Sequence, residues 1–327
     1  IHSVLKNYPR PTAVVVSAFY GITDQLQQLV RQPDETQANE LLNTLTDITR
    51  RLQRTLPEGD SDLFTPAQQA IKQLGRLLKS SRLPQEPYQQ TLALSYGERI
   101  NAMWVVAYLQ AQGIQAIYSP PENIGLRCAS GPWFASIDFE ASTLHPDAFR
   151  QEAVYVIPGF YATDAQQRVC LLGRGGSDYA AASVTALIQA SALDLWKDVN
   201  GFCTANPTLV EDTRPIPTLN YAEAAELAYF GSELLHPRST EPLQPAQIPI
   251  RLFNIGEPGQ KKPGTIIQKT KAHSPEVIKS IARSDNFAIL ELQGSGVGML
   301  PGLLAQVTGT LQEEAINIKS VITAQTD

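Results

Sequence analysis

The spacing of apolar and polar residues in the first third of the chain predicts a strand followed by a helical lobe. Residues 12–18 form an apolar, largely β-branched run, which is typical of a strand buried on both faces of a parallel sheet. Between 36 and 81 apolar residues recur at helical spacing with a break near 57–60, and a further helical pattern covers 88–112. We therefore expect a helical insertion over about 35–112.

Shorter apolar runs predict the remaining strands. They lie at 115–118, 153–157, 169–172, 193–196, 248–253 and 265–267. Because a helical pattern after Ser177 separates the runs at 169–172 and 193–196, we expect these two to form a parallel βαβ unit. Another helix is predicted at 221–234.

The pattern changes after Lys271. A strand at 287–292, a helix at 301–313 and a strand at 316–322 predict a second, smaller βαβ unit. The domain boundary is expected near 270–280, which separates a larger α/β domain over 1–272 from a partial α+β domain over 278–327.

Composition narrows the class of protein. The formal net charge of -6 and pI near 5.4 argue against nucleic acid as the main partner. No stretch approaches the roughly 20 apolar residues that cross a bilayer, and the first residues do not resemble a secretory signal. Cys128, Cys170 and Cys203 lack metal-ligand spacing and form an odd set, so we expect a reduced, cytoplasmic protein without a membrane partner.

The run Gly-Arg-Gly-Gly-Ser-Asp at 173–178 lies between a predicted strand and a predicted helix. The free N–H groups in the first turn of a helix, together with its dipole, favour a bound anion. Arg174 can fork onto a carboxylate or phosphate, and Asp178 can hold an ammonium group. This combination fits an amino acid bound beside a polyphosphate, as in an amino-acid kinase. The structural alternative is a glycine turn that only allows tight packing.

Three other positions have both a functional and a structural interpretation. Glu98 follows a glycine inside a helical pattern and is either a cleft residue that accepts an ammonium group or a solvated glutamate. Lys197 and Asp198 follow a predicted strand, where they either meet a phosphate or form a surface ion pair. His236, next to a proline at a helix end, is interpreted as structural.

Together these motifs resemble the aspartate kinase family of the amino-acid kinase superfamily. The matching pieces, in family order, are 14–18 with 21–23, 96–98, 158–160, 172–179, 196–199, 226–231 and 263–265. The segment after 278, with Gly-Ser-Gly at 294–296 and Ala-Ile-Asn-Ile at 315–318, resembles the start of an ACT regulatory domain.

The resemblance implies a three-layer αβα amino-acid kinase fold with a mostly parallel central sheet. It also implies ATP-dependent phosphorylation of the side-chain carboxylate of L-aspartate, with Mg²⁺, as the entry step to lysine, threonine and methionine synthesis. Carried over from the family, the aspartate pocket contains Thr23, Glu98, Phe160, Arg174, Ser177 and Asp178. The nucleotide side contains Lys197, Asp198, Phe202 and Cys203.

The family resemblance also gives each charged group a role and implies partners. Arg174 binds the α-carboxylate and, with Asp178, is the expected catalytic pair; Glu98 and Asp178 hold the ammonium group. A homodimer is expected, with an amino-acid effector bound at paired ACT domains. The chain is interpreted as the kinase part of an allosteric aspartate kinase, with a fusion to homoserine dehydrogenase as one form.

Three departures from the family pattern bear on this interpretation. Family members open with a strand and a Lys-Phe-Gly-Gly loop, which the sequence does not show, so activity is expected to require residues upstream of Ile1. Lys197 stands where many members have threonine and Glu233 where they have lysine, so we expect Lys197 to supply the positive charge on the nucleotide side. Asn-Pro-Thr at 206–208 replaces a common Asp-Pro-Arg.

The alternative functions are a related carboxylate kinase, such as a glutamate kinase, and a non-catalytic amino-acid-binding regulatory subunit.

Overall fold

The computed structural model divides the chain into two compact units, Ile1–Arg283 and Ser284–Asp327. The structure describes residues 1–6, 8–56, 60–129, 131–144, 149, 151–230, 234–269, 278–283, 288–294, 297, 301–314, 316 and 318–322. All strands in these ranges belong to the larger unit. No helix in the described ranges combines the length and apolar character that a membrane crossing requires.

A parallel three-stranded sheet contains the first predicted strand. Its strands are β1 (Thr12–Val16), β2 (Ala116–Tyr118) and β3 (Val154–Pro158). The middle strand, β3, pairs with β1 on one side and with β2 on the other, both in parallel. All five residues of β3 are buried, which explains why this strand is apolar throughout rather than alternating.

Two further strands form a hairpin, β4 (Tyr161–Thr163) with β5 (Val169–Leu171), and this arrangement corrects one prediction. The predicted βαβ unit of 169–172 and 193–196 is wrong, because β5 pairs antiparallel with β4 and not within a parallel sheet. The reversal depends on Asp164, whose Oδ1 accepts hydrogen bonds from the backbone N–H groups of Gln166 and Arg168. This turn chemistry pairs β5 with its neighbour along the chain.

The remaining strands form a mixed sheet in the order β6, β8, β9, β7. They are β6 (Leu193–Lys197), β7 (Thr218–Leu219), β8 (Ile250–Asn254) and β9 (Thr265–Ile267). The pairs β6/β8 and β7/β9 are parallel and β8/β9 is antiparallel. The strands predicted at 193–196 and 248–253 are therefore confirmed with small shifts at their ends, and the strand at 265–267 without a shift; β7 was not predicted.

The helices are α1 (His2–Leu5), α2 (Ile22–Arg31), α3 (Glu35–Arg54), α4 (Thr65–Leu78), α5 (Pro87–Ala111), α6 (Pro121–Ile124), α7 (Gly176–Leu187), α8 (Tyr221–Phe230), α9 (Leu243–Ala246) and α10 (Leu303–Glu313). The predicted helical insertion corresponds to α3, α4 and α5. Asp34 caps α3 by accepting a hydrogen bond from the backbone N–H of Gln37. Apolar residues such as Leu26, Leu41 and Leu74 form the core of this lobe.

Helices cover both faces of the parallel sheet. Val154 and Val156 of β3 share a core cluster with Ala102 and other residues of α5. Ile157, on the opposite face of the same strand, shares another cluster with Val184 and other residues of α7. Ala182 of α7 also packs in the core around β6 and β8. The result is a helix–sheet–helix arrangement in which α5 and α7 reach the same edge of the sheet.

The smaller unit differs from its sequence prediction. Helix α10 confirms the helix predicted at 301–313. The two strands predicted at 287–292 and 316–322 are wrong for the described residues, because none of residues 288–292, 316 and 318–322 is in a strand. An apolar run becomes a strand only when a second segment accepts and donates its backbone hydrogen bonds. Residues 287 and 317 lie outside the described part.

Candidate active site

One cavity of about 940 Å³ lies where the carboxyl ends of β1, β3 and β6 meet the start of α7 and the middle of α5. It is lined by all six residues of the predicted aspartate pocket, namely Thr23, Glu98, Phe160, Arg174, Ser177 and Asp178. Lys197, predicted on the nucleotide side, also lines it. In the parallel sheet the ends of adjacent strands fall on one edge, which is where ligands collect in open α/β folds.

The glycine loop at 173–175 leads directly into α7. Gly173 and Gly175 have φ angles of +83° and +68°, a region that favours glycine. Gly159, after β3, lets the backbone approach this helix start closely, because a Cβ atom there would lie 2.8 Å from the Cβ of Ser177. The first turn of α7 lines the cavity through Gly176, Ser177 and Asp178, and N–H groups without a helical partner at such a turn favour an anion.

Asp178 in the first turn of α7 is paired with Lys197 at the end of β6. The Lys197 Nζ donates to Asp178 Oδ1 at 3.0 Å and to Oδ2 at 2.8 Å. About a quarter of the Lys197 side chain and a fifth of the Asp178 side chain are exposed, at 25% and 21%. Asp178 is thus charge-compensated by the protein, in addition to its favourable place at a helix N-terminus.

For Glu98 on α5, no ion pair with a cation is found among the described residues. It is 3% exposed, and its Oε2 atom is buried without a hydrogen-bond partner. Burial raises the pKa of Glu98 to about 8, and a backbone hydrogen bond at Ala18 only partly offsets this effect. The interpretation of Glu98 as a solvated glutamate is therefore wrong. A buried acceptor that lines a cavity is suited to a cationic group on a ligand.

The glycine before Glu98 serves close packing. A Cβ atom at Gly97 would lie 2.9 Å from the Cβ of Ala18, in the loop after β1. Helix α5 continues through this position from Pro87 to Ala111. The glycine therefore brings the helix against the loop and directs Glu98 toward the cavity.

A partly buried network behind Glu98 holds α5 in place. Arg99 donates from its guanidinium to Glu122 Oε1 at 2.7 Å and lies 4.5 Å from the centre of the Tyr161 ring. The Tyr161 hydroxyl donates to the other oxygen of Glu122 at 3.3 Å. These contacts join α5, α6 and β4, and they fix the helix one residue beyond the cavity-facing carboxyl group. The sequence analysis missed them.

Phe160 adopts an uncommon backbone conformation. Its φ angle is +70°, a region that bulky residues rarely occupy and that often marks functional sites. Ser17, Trp133 and Phe134 also line the cavity and were not predicted from the sequence. Ser17 follows β1, so its position at the carboxyl end of a strand was a usable signal. For the two aromatic residues we find no comparable signal in the sequence.

Asp198, Phe202 and Cys203 do not line the cavity, and their nucleotide-side roles stay predictions. The Phe202 side chain is 3% exposed and packs in the core around β6. Its backbone N–H donates to Thr265 Oγ1 at 2.9 Å. Its backbone oxygen accepts a hydrogen bond from the backbone N–H of Ile216 at 2.8 Å, so both the ring and the backbone polar groups of Phe202 have partners within the protein.

His236 has a structural position. Its Nδ1 accepts a hydrogen bond from the backbone N–H of Arg238 at 3.3 Å, and its side chain packs on Gly175. Burial, followed by the charges of Arg238 and Arg174, lowers its pKa. Glu233 lies outside the described residues.

The fold and the cavity define an α/β protein in which acidic and basic side chains line one cavity at the N-terminus of a helix. A sequence model of the amino acid kinase family matches residues 2–254. The chain therefore belongs to the amino acid kinase family.

Known proteins similar to this chain are aspartokinases. A bifunctional aspartokinase/homoserine dehydrogenase of Haemophilus influenzae is 31% identical over 318 residues, which cover 94% of this chain and 38% of that protein. The chloroplastic aspartokinase 1 of Arabidopsis thaliana is 32% identical over 265 residues, which cover 78% of this chain and 46% of that protein. The chain thus spans less than half the length of both curated relatives.

A solved structure extends this similarity to the fold. The structure of Escherichia coli aspartokinase III in complex with aspartate and ADP matches with a TM-score of 0.80 and 25% identity. The match covers 98% of this chain and 72% of that one. The amino-acid kinase fold expected from the sequence is confirmed.

Proposed function

We propose that this chain is the kinase portion of an aspartate kinase. It transfers the γ-phosphoryl group of ATP to the side-chain carboxylate of L-aspartate and forms 4-phospho-L-aspartate and ADP. This is the first step of lysine, threonine and methionine biosynthesis. The proposal is supported by the aspartokinase relatives and by the charged cavity at the start of α7.

The observation that carries the proposal is the buried, unpartnered oxygen of Glu98 in a cavity that Arg174 also lines. A substrate with an ammonium group and an α-carboxylate satisfies both: Glu98 accepts the ammonium group, and the Arg174 guanidinium forks onto the carboxylate. Asp178 is the second acceptor for the ammonium group. Thr23, Phe160 and Ser177 form the remaining walls of this pocket.

The side-chain carboxylate of the substrate is then the nucleophile. One of its oxygens forms a bond to the γ-phosphorus, and the bond from that phosphorus to the leaving oxygen of ADP breaks. No proton has to leave the nucleophile, so the protein contributes alignment and charge neutralisation. Lys197 is the cation that meets the growing negative charge on the phosphates, while Asp198, Phe202 and Cys203 lie on the nucleotide side.

Magnesium is assigned to the nucleotide substrate. Within the described residues, no group of three or more His, Cys, Asp or Glu side chains is arranged to hold a metal ion. We expect Mg²⁺ to arrive with ATP, since the ion usually keeps phosphate and water ligands and few protein carboxylates.

The regulatory part of the proposal concerns residues 278–327, which we assign to a partial ACT-like domain after a kinase domain over 1–272. A homodimer with an amino-acid effector bound between paired ACT domains follows from this assignment. An effector bound there changes kinase activity only if its affinity differs between two states of the enzyme.

The test combines binding and turnover. Calorimetric titration with L-aspartate, and with L-glutamate as the matched competitor, is expected to show binding of aspartate at least tenfold tighter, about 1.4 kcal/mol. A coupled assay on the full-length protein is expected to detect ADP release that depends on aspartate. Binding of aspartate and ATP without turnover would instead support a non-catalytic regulatory subunit, and a preference for glutamate would support a related carboxylate kinase.

A further inference from the structure

Arg238 connects two segments that line the cavity, although its own side chain does not line it. Its guanidinium donates to the backbone oxygen of Leu172 at 2.9 Å and to the backbone oxygen of Ala135 at 3.0 Å. It also donates to Ser136 Oγ at 3.2 Å and lies 4.2 Å from the centre of the Tyr179 ring. A single planar fork therefore joins three parts of the chain.

One of these acceptors directly precedes the glycine loop. The Leu172 carbonyl belongs to the residue before Gly173, and Tyr179 is the residue after Asp178. The Tyr179 hydroxyl in turn accepts a hydrogen bond from the backbone N–H of Ile137 at 3.2 Å. Arg238 thus contacts the chain on both sides of the loop and helix start that contain Arg174 and Asp178.

The other acceptor ends a two-residue aromatic bulge. The backbone N–H of Leu171 donates to Pro132, and the backbone N–H of Ala135 donates back to Leu171, both at 2.8 Å. Both ends of the segment are therefore anchored on a single residue of β5, and Trp133 and Phe134 lie between the anchors.

Phe134 lies on the glycine loop. A Cβ atom at Gly173 would lie 2.9 Å from Cδ1 of the Phe134 ring, so the ring contacts the Gly173 backbone. Phe134 is 77% exposed, and its φ angle is +53°. A large apolar side chain that is both exposed and in an unfavourable backbone region is not explained by core packing.

We propose that Arg238 and Phe134 are positioning residues, which together hold the 173–175 loop in the conformation that binds the carboxylate of the substrate. This inference rests on the proposed function. Arg238 binds the Leu172 carbonyl, which precedes the loop, and the Ala135 carbonyl, which ends the bulge. The bulge in turn holds the Phe134 ring against Gly173. Arg174 lies between the two glycines and lines the cavity, so its placement depends on the conformation of this loop.

The test compares Phe134→Ala, Arg238→Ala and the double variant by calorimetric titration with L-aspartate. Each single change is expected to weaken the Kd about tenfold, as for the loss of one charged hydrogen bond or its support. In the double variant, the fold increase in Kd is expected to be clearly smaller than the product of the two single increases, because both residues act on one loop. A fold increase equal to that product would show that the two residues act independently and would overturn the coupling.

Conservative variants separate positioning from general stability. Phe134→Leu is expected to restore most of the affinity, since a large apolar group again covers Gly173. Arg238→Lys is not expected to do so, because an ammonium group lacks the planar fork that reaches two carbonyls. In steady state the KM for aspartate is expected to rise while kcat changes less than twofold.

Arg251→Ala is the matched control. This arginine also forks onto a partner, with contacts of 2.6 and 2.8 Å to Asp194, but it does not line the cavity. The control is expected to lower the melting temperature and to leave the Kd for aspartate unchanged. A Kd change in this variant equal to that of Arg238→Ala would attribute both to general destabilisation and overturn the proposal.

Hydrogen exchange provides a measurement that does not depend on the ligand. Amides of residues 171–177 are expected to exchange at least fivefold faster in Phe134→Ala and Arg238→Ala than in the wild type and in Arg251→Ala. If aspartate does not bind to the wild type, the proposed function fails while this loop coupling can still be observed. Unchanged exchange at 171–177 in Phe134→Ala would overturn the inference, and because Phe134 is exposed this variant is expected to fold.

Discussion

The two acidic residues of the cavity have opposite electrostatic settings. Asp178 lies in the first turn of α7, and the Lys197 ammonium group is 2.8 and 3.0 Å from its two carboxylate oxygens. Glu98, on α5, is 3% exposed and has a buried oxygen without a partner. The charge of Asp178 is therefore balanced within the protein, whereas the buried Glu98 oxygen lacks a partner that the proposed ligand would supply. This difference identifies Glu98 as the more selective of the two for a cationic group.

The largest effect is expected from Glu98→Gln. This change keeps the shape but removes the charge that accepts the ammonium group, so the Kd for L-aspartate should rise about 100-fold, or nearly 3 kcal/mol. Calorimetric titration measures it. Glu223→Gln, which alters a carboxylate paired with Lys279 at 2.8 Å, is the control and should leave the Kd unchanged. Equal affinities of Glu98→Gln and the wild type would show that Glu98 does not bind the ammonium group.

Glu98→Gln should weaken aspartate binding but make the folded protein more stable at high pH. Because the pKa of Glu98 is raised in the folded protein to about 8, the folded state keeps a proton that the unfolded state releases above its ordinary pKa. Stability is therefore lost as pH rises from about 4.5 to 8, and the full loss is present above 8. Denaturant unfolding at pH 9 should show Glu98→Gln more stable than the wild type.

The pH dependence of binding is expected to be the next largest effect. Since the carboxyl group must lose its proton to accept an ammonium group, aspartate affinity should rise about tenfold per pH unit below pH 8 and level off above it. Titrations between pH 6 and 9, for the wild type and Glu98→Gln, measure the profile. A wild-type profile as flat as that of the variant would contradict an acid group at this position.

The Lys197→Ala change tests the side of the cavity that contains Asp178. Among these changes it is expected to have the smallest effect on the affinity for aspartate. If this lysine supplies positive charge to the nucleotide phosphates, the KM for ATP should rise about tenfold and the KM for aspartate far less. Steady-state kinetics with each substrate varied in turn give both values. Lys279→Ala, which breaks an ion pair of similar geometry outside the cavity, is the control. An equal rise in both constants would refute the assignment of Lys197 to the nucleotide side.

The comparison also shows what could be predicted from the sequence. Regular elements followed from local pattern: β1, β3, α5 and α7 lie close to their predicted positions, because apolar spacing and glycine stops act over short distances. The glycine loop and Glu98 were recognised through family motifs, and the cavity contains both. The hairpin of β4 and β5 was missed because its turn was overlooked, although Asp164 provides the side-chain acceptor that such turns use.

By itself, the sequence determined the class of fold, the order of the elements and the types of charged group that a site would contain, because these depend on local periodicity and short motifs. Only the tertiary structure decided which acid is neutralised and which is left for a ligand. It also decided that Arg238 meets the carbonyl of Ala135, 103 residues away. Burial and the pairing of charges depend on distances between segments far apart in the chain, and no local pattern records those distances.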